Sequence, residues 1–173
     1  MVLTIDIGNT TIGIGGFQGN KLLFIEKISS RRPLSDAGYI EKLNMILNKH
    51  GLSAEAFEGS MISSVVPSVT AVFSSALETF LGRKPLILSH KLDLGYEICT
   101  EFPEKVGCDR LADIAGAISR YSLPFVTIDL GTATTFNVLD ENRRFLGGLI
   151  LPGVGTAHRA LLGKTAQLPK GDI

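Results

Sequence analysis

Asp6 and Asp129 stand in the same local spelling. The first is set in Thr4-Ile5-Asp6-Ile7-Gly8-Asn9-Thr10-Thr11, the second in Thr127-Ile128-Asp129-Leu130-Gly131-Thr132-Ala133-Thr134-Thr135. In each, a β-branched run ends in Asp, one apolar residue, Gly and then hydroxyl side chains. An Asp at a strand end offers a hard oxygen to Mg2+ or its water shell, Gly lets backbone N–H groups approach a polyphosphate, and Thr and Asn add donors to phosphoryl oxygens. A single copy is also the ordinary way to close a buried strand. Two copies a domain's length apart point instead to pseudo-symmetric halves.

A third chemical group lies between them, in Gly107-Cys108-Asp109-Arg110. Leu111, Ile114, Ala115 and Ile118 follow as an apolar stripe, which predicts a helix with Asp109 and Arg110 in or near its first turn. A carboxylate beside a guanidinium at a helix N-terminus can hold an anionic substrate and activate its hydroxyl. The same pair also suits a plain first turn, where Asp complements the macrodipole and Arg pairs with a neighbour. The residues alone leave both readings open.

Other motifs drop out. Gly163-Lys164-Thr165 ends like a phosphate-binding loop, but His158 stands where its first Gly belongs, and the tripeptide follows a helix instead of opening one. Gly13, Gly15 and Gly16 lack the spacing of a dinucleotide fingerprint and read as close-packed strand glycines. His50, His90 and His158 are scattered, with no nucleophile motif near them. Asn9-Thr10-Thr11 matches a glycosylation sequon, read here as chance.

The elements that must position these groups follow from periodicity. Val2–Asp6, Ile12–Phe17 and Leu22–Ile28 form a β-meander turning at Gly8 and Gly19-Asn20. Tyr39, Ile40, Leu43, Ile46 and Leu47 share a helical face, stopped by Gly51. Met61–Val66 is a buried strand. Pro67 then opens a helix through Val69, Val72, Phe73, Ala76, Leu77, Phe80 and Leu81, closed by Gly82. Pro85–Ser89 is another short strand, and residues 94–103 read as irregular. In the second half Phe125–Leu130, Thr135–Leu139 and Arg144–Leu151 repeat the three-strand opening, with a hairpin at Asp140-Glu141-Asn142. Pro152-Gly153-Val154-Gly155-Thr156 leads into a last helix. Strands alternating with helices predict parallel pairs joined by crossovers, hence mixed sheets flanked by helices in the α/β class. Ligands in such sheets bind beyond the strands' carboxyl ends, where Asp6 and Gly8 sit.

The 173 residues hold 17 Lys plus Arg against 17 Asp plus Glu, a neutrality that argues against a nucleic-acid surface. A hydrophobic content of 45% suffices for a packed core. Cys99 and Cys108 have no metal-ligand spacing and suit a reducing, cytoplasmic setting. The N-terminus lacks signal-peptide character, and no apolar run reaches the roughly 18 residues of a membrane span.

Taken together, Asp6-Ile7-Gly8-Asn9-Thr10, Gly107-Cys108-Asp109-Arg110, Asp129 to Thr135, and Gly147-Gly148-Leu149-Ile150-Leu151-Pro152-Gly153 resemble, in order and spacing, the type III pantothenate kinases. The resemblance runs the full length. It implies duplicated actin-like (ribonuclease H-like) domains, an N-terminal one over residues 1–120 and a partial second over 121–173, with ATP between them. It also implies homodimers and the ATP-dependent phosphorylation of pantothenate, the first step of coenzyme A synthesis. Because the family continues past the segment matching Leu168-Pro169, the resemblance implies a C-terminally truncated chain with an incomplete second domain.

Carried over by position, the resemblance makes Asp6, Ile7, Gly8, Asn9, Thr10, Thr11, Ile12 and Gly13 the ATP-phosphate segment, Asp6 with Mg2+, and Thr132 a nucleotide contact. Asp129 would hold a monovalent cation, K+ or NH4+. Gly107, Cys108, Asp109 and Arg110 would contact pantothenate, with Asp109 as catalytic base. Thr100 occupies a substrate-contacting position where the family commonly has Tyr, and Cys108 replaces a small Ala. Two alternatives share the fold: a catalytically silent relative acting as a regulator, like the Bvg accessory factor branch, and another actin-fold small-molecule kinase.

Overall fold

The computed structural model describes residues 1–164; Thr165 of the discounted tripeptide and the Leu168-Pro169 pair lie outside the described residues. The chain divides into two compact units. One comprises Met1–Ser89 with Gly107–Asp109, the other His90–Val106 with the chain from Arg110 on.

The first unit is built on a five-stranded sheet in the order β3-β2-β1-β4-β5. Its strands are β1 (Val2–Ile7), β2 (Thr11–Gln18), β3 (Lys21–Ser29), β4 (Gly59–Ser64) and β5 (Leu86–Ile87). The meander β1-β2-β3 is antiparallel, whereas β4 runs parallel to β1 and β5 parallel to β4. Two helices supply the crossovers, α1 (Asp36–Lys49) and α2 (Pro67–Leu81). Local chemistry sets their ends. Ser35 caps α1 by accepting the Gly38 N–H at 3.3 Å, Pro67 takes the first position of α2, and Gly82 ends α2 in the left-handed region at φ +67°.

Strand alternation decides what the helices bury. Leu3, Ile5 and Ile7 point to one face and are at most 1% exposed, packed with Ile12, Ile14, Ile62, Leu43 and Leu47 of the same cluster. Tyr39 and Phe73, from α1 and α2, meet with ring centroids 4.4 Å apart. Asp6 and Thr4 therefore project from the other face.

The second unit repeats the opening of the first. β7 (Phe125–Leu130), β8 (Ala133–Leu139) and β9 (Arg144–Pro152) form an antiparallel meander, joined by a short strand, β6 (Glu97–Ile98), parallel to β9. The order is β6-β9-β8-β7. The sequence pattern placed 94–103 in irregular chain, since a two-residue strand carries no periodicity to read. Helix α3 (Cys108–Ile118) covers one face, with Ile114, Leu139 and Phe145 fully buried. Helix α4 (Val154–Lys164) follows the sheet. Val126, Ile128 and Leu130, the counterparts of Leu3, Ile5 and Ile7, are 54%, 56% and 72% exposed. Among the described residues no strand pairs with the outer edge of β7, where the first unit has β4.

Candidate active site

The two Asp turns have one design, differing by a residue. In the first, the Gly8 N–H donates to the Thr11 carbonyl at 2.9 Å; in the second, the Gly131 N–H donates to the Ala133 carbonyl at 2.9 Å. The Gly N–H groups thus close their own turns, a use of glycine that spacing alone does not reveal. Ile7 and Ile12, inside the expected phosphate segment, are 0% exposed, so only their backbone is available to a ligand. Thr11 and Gly13 begin β2, and Asn9 and Thr10 form the turn.

Each Asp has a register partner on its own face with a buried hydroxyl that finds no hydrogen bond. Asp6 pairs across the parallel ladder with Ser63, and Asp129 pairs across the antiparallel hairpin with Thr135. Ser63 Oγ and Thr135 Oγ1 are both buried and orphaned. A buried hydroxyl without a partner is costly, so its place beside a carboxylate favours a cation or its water shell at that point. One carboxylate, a hydroxyl and phosphate oxygens suit Mg2+, which keeps much of its own water. Among the described residues no cluster of three or more acidic, His or Cys side chains forms a dedicated metal cage.

Asp109 stands at the start of α3 within the first unit. The carboxyl ends of β4 and β5 hold it there. Cys108 Sγ donates to the Leu88 carbonyl at 3.1 Å, and a β-carbon on Gly107 would lie 3.7 Å from Val65. The Val65 N–H in turn bonds the Ile7 carbonyl at 3.1 Å, so the Gly8 turn and Asp109 share one edge of one sheet. That edge is the carboxyl end of the parallel strands, as expected for a ligand site in an α/β sheet. A pocket of about 430 Å³ adjoins it, lined by Ser64, Pro67, Thr70, Ile87, Leu88 and Cys108.

Arg110 is seated in the second unit. Its Nε donates to Asn137 Oδ1 at 2.6 Å, one terminal nitrogen donates to the Phe136 carbonyl at 3.3 Å, and its carbon centre lies 5.4 Å from the centroid of the Phe145 ring. Asn137 Nδ2 donates onward to Thr127 Oγ1 at 3.0 Å. Neither Asn137 nor Thr127 was marked by sequence reasoning, although Asn137 at an inward position of a strand was the available signal. Gly148, part of the Gly147-Gly148 block, has no room for a side chain: a β-carbon would collide with the Phe136 carbonyl and sit 3.1 Å from Arg110.

The remaining sites also fall in the second unit. Thr132 lies in the turn after Asp129, its carbonyl accepting from the Gly153 N–H at 3.1 Å and from Thr156 Oγ1 at 3.2 Å. Thr100 follows β6 beside Gly147, with its hydroxyl buried and unpartnered. Asp129 lines a groove together with Asp113, Arg120 and Thr127.

Duplicated mixed sheets with matching Asp-x-Gly turns define an actin-like fold. The fold is shared by a Campylobacter jejuni protein assigned to the Baf family of transcriptional activators (TM-score 0.56, 17% identity, 97% of this chain and 63% of that one). It is shared equally by a Porphyromonas gingivalis protein assigned as an N-acetylglucosamine kinase (TM-score 0.54, 17% identity, 99% and 59%).

The chain belongs to the type III pantothenate kinase family, whose model matches residues 2–173. It is 40% identical over 173 residues to the type III pantothenate kinase of Bifidobacterium animalis subsp. lactis, covering 100% of this chain and 69% of that protein. The enzymes of Dictyoglomus turgidum and Thermomicrobium roseum are 37% and 36% identical, covering 100% and 97% of this chain and 68% and 65% of theirs. The chain thus spans about two thirds of their length, and the family resemblance carried by its four motif blocks is borne out.

Proposed function

We propose how this chain divides the work of its family's reaction, the ATP-dependent phosphorylation of pantothenate in coenzyme A biosynthesis. The observation that carries the reading is the shared edge: the Gly8 turn and Asp109 stand at the carboxyl ends of adjoining strands of one sheet. Asp109 accepts the proton of the pantothenate hydroxyl as transfer proceeds. Arg110 holds the substrate carboxylate, with Gly107 and Cys108 supplying backbone and wall, and Thr100 standing in the family's tyrosine position. The turn from Asp6 to Gly13 seats the phosphates through backbone and hydroxyl groups, and Thr132 contacts the nucleotide.

Asp6, with Ser63 beside it, is the group to hold Mg2+; Asp129, with Thr135 beside it, is the group to hold K+ or NH4+. Bound there, the cations would supply charge neutralisation for the phosphoryl group. Phosphoryl transfer needs mainly positioning and charge neutralisation, so this small set of residues suffices.

Residues 1–120 and 121–173 are the two repeats on this reading; α3 follows the first in chain order but packs mostly in the second compact unit. A homodimer belongs to the same reading. Among the described residues no helix is long and apolar enough to cross a membrane, and a cytoplasmic location accords with a metabolic kinase.

The test is direct. ATP- and K+-dependent phosphorylation of pantothenate by the 173-residue chain falls by about 10²- to 10⁴-fold in Asp109→Asn. Near-normal turnover by that variant would remove Asp109 from its role.

A further inference from the structure

Arg110 lies on α3, while its hydrogen-bond partners lie on the strand that follows the second Asp turn, and the contact between them is half-buried. Asn137 is 0% exposed. Its side chain joins three elements: Oδ1 accepts from Arg110 Nε of α3, and Nδ2 donates to Thr127 Oγ1 of β7, two residues before Asp129. The amide has only one workable orientation, because a guanidinium offers donors alone and must face the oxygen. A buried primary amide is kept only where both ends are satisfied, and here both are.

The rest of the seat is built to the same end. The Phe136 carbonyl takes a terminal Arg110 nitrogen, the carbon centre of the guanidinium lies over the Phe145 ring, and Gly148 is bare where any β-carbon would meet both Phe136 and Arg110. A guanidinium bound at Nε and at one terminal nitrogen, with a ring beneath it, has its direction set. Arg recognises carboxylates through planar, directional pairs of N–H bonds, so its aim matters as much as its charge.

We propose that Asn137 is a positioning residue that aims Arg110 at the carboxylate of the substrate, with Thr127 fixing the amide and Gly148 leaving room for the guanidinium. Asn137 touches no substrate itself. The proposal rests on the reading of Arg110 as the carboxylate contact, and the experiment separates the two.

Calorimetric titration of the 173-residue chain with pantothenate, in the presence of a non-hydrolysable ATP analogue, compares the unsubstituted protein with Arg110→Gln, Asn137→Leu and Asn137→Asp. Asn137→Leu keeps the branched shape and removes both hydrogen bonds; its pantothenate affinity falls about tenfold, the scale of a lost hydrogen bond to a charged group. Asn137→Asp keeps an acceptor for Arg110 and accepts from the Thr127 hydroxyl, so its affinity stays within about threefold of normal. Nucleotide affinity is unchanged in both. With pantothenol, which carries an alcohol in place of the carboxylate, Asn137→Leu has no effect. A ligand-free readout accompanies this: the Arg110 Nε–H resonance, slowly exchanging in the unsubstituted chain, exchanges rapidly in Asn137→Leu.

Loss of pantothenate affinity in Arg110→Gln but not in Asn137→Leu overturns the role of Asn137 and leaves that of Arg110. Undiminished affinity in Arg110→Gln, or no binding by the unsubstituted chain, overturns the Arg110 reading and the proposal with it. Should Asn137→Leu not fold, Asn137→Ser, whose short hydroxyl falls short of Arg110, is measured in its place against the same outcomes.

Discussion

The carboxylate of Asp109 folds back over the α-carbon of Gly107, into the space that a β-carbon on residue 107 would occupy. No backbone strain compels the glycine, which has no positive φ. Its reason is the position of one oxygen, Asp109 Oδ1. Substituting Gly107→Ala therefore moves the carboxylate without removing it. With Asp109 in its proposed role, we expect kcat to fall by about 10²-fold, with a smaller change in nucleotide affinity. Steady-state kinetics alongside nucleotide titration measures both, and an unaltered kcat would show that the contact does not set the geometry of Asp109.

Gly153 tests the second Asp turn. A β-carbon there would run into the Gly131 carbonyl and come within 2.6 Å of the Thr132 carbonyl. Both neighbours are backbone, so neither can swing aside, and Gly153→Ala is expected to cost about 1–3 kcal/mol. Urea unfolding reads the loss as a lowered midpoint, and Val154→Ala, at an exposed neighbour, serves as the control.

The hairpin between β8 and β9 carries a pH signature. Burial raises the Asp140 carboxyl, but the Arg144 N–H, the Arg144 side chain and the Asn142 N–H outweigh it and leave the group below the ordinary carboxylate value. Arg144 Nε donates to Asp140 Oδ2 at 2.8 Å, and the Arg144 and Asn142 N–H groups reach Oδ1 at 2.8 and 2.9 Å. A depressed folded value means that the stabilisation is present above the unfolded value of about 3.9 and is lost as pH falls through the folded one. Thermal unfolding between neutral pH and pH 3 should show a shallower acid loss in Asp140→Asn than in the unsubstituted chain. Equal slopes would rule the hairpin out as a contributor.

Cys108 should be a slow thiol. Burial pushes its pKa up, a backbone hydrogen bond from Ser64 opposes part of that rise, and Asp109 beside it adds a smaller upward push. Less thiolate at a given pH means slower alkylation. Iodoacetamide labelling followed by mass spectrometry should show Cys108 lagging a free cysteine peptide at pH 8, with its rate profile displaced to higher pH. Labelling at the peptide's rate would contradict a raised thiol pKa.

Amide exchange should separate the two repeats. Leu3, Ile5 and Ile7 are sealed beneath α1 and α2, while Val126, Ile128 and Leu130 are more than half exposed on an edge strand. Slow exchange tracks burial and paired backbone, so protection across β1 should exceed that across β7 by at least about 10²-fold. Comparable protection would mean that β7 is covered in solution.

Much of this architecture was legible in the chain. The meander, both crossover helices, the second meander and the helix behind Asp109 followed from apolar periods and from punctuation by Gly and Pro, because a segment that buries one face must repeat its apolar residues at the period of its own geometry. The family, too, was written in four short blocks whose residue types are constrained by chemistry. β6 was not legible, since its pairing with β9 matches Glu97 with Arg144, 47 residues further on. Nor was Ser63 beside Asp6, which belongs to a strand carrying no motif.

The sequence by itself determined the repeated Asp turns, the elements that carry them and the kinase family, because local spacing and residue chemistry suffice for each. Only the tertiary structure decided that Gly8 and Gly131 spend their N–H groups inside their own turns, that Gly107 and Gly148 are bare to admit Asp109 and Arg110, and that Asn137 holds Arg110. Those are relations between side chains and backbone brought together by strand register and helix packing. Neither spacing nor composition encodes which atoms will meet across a sheet.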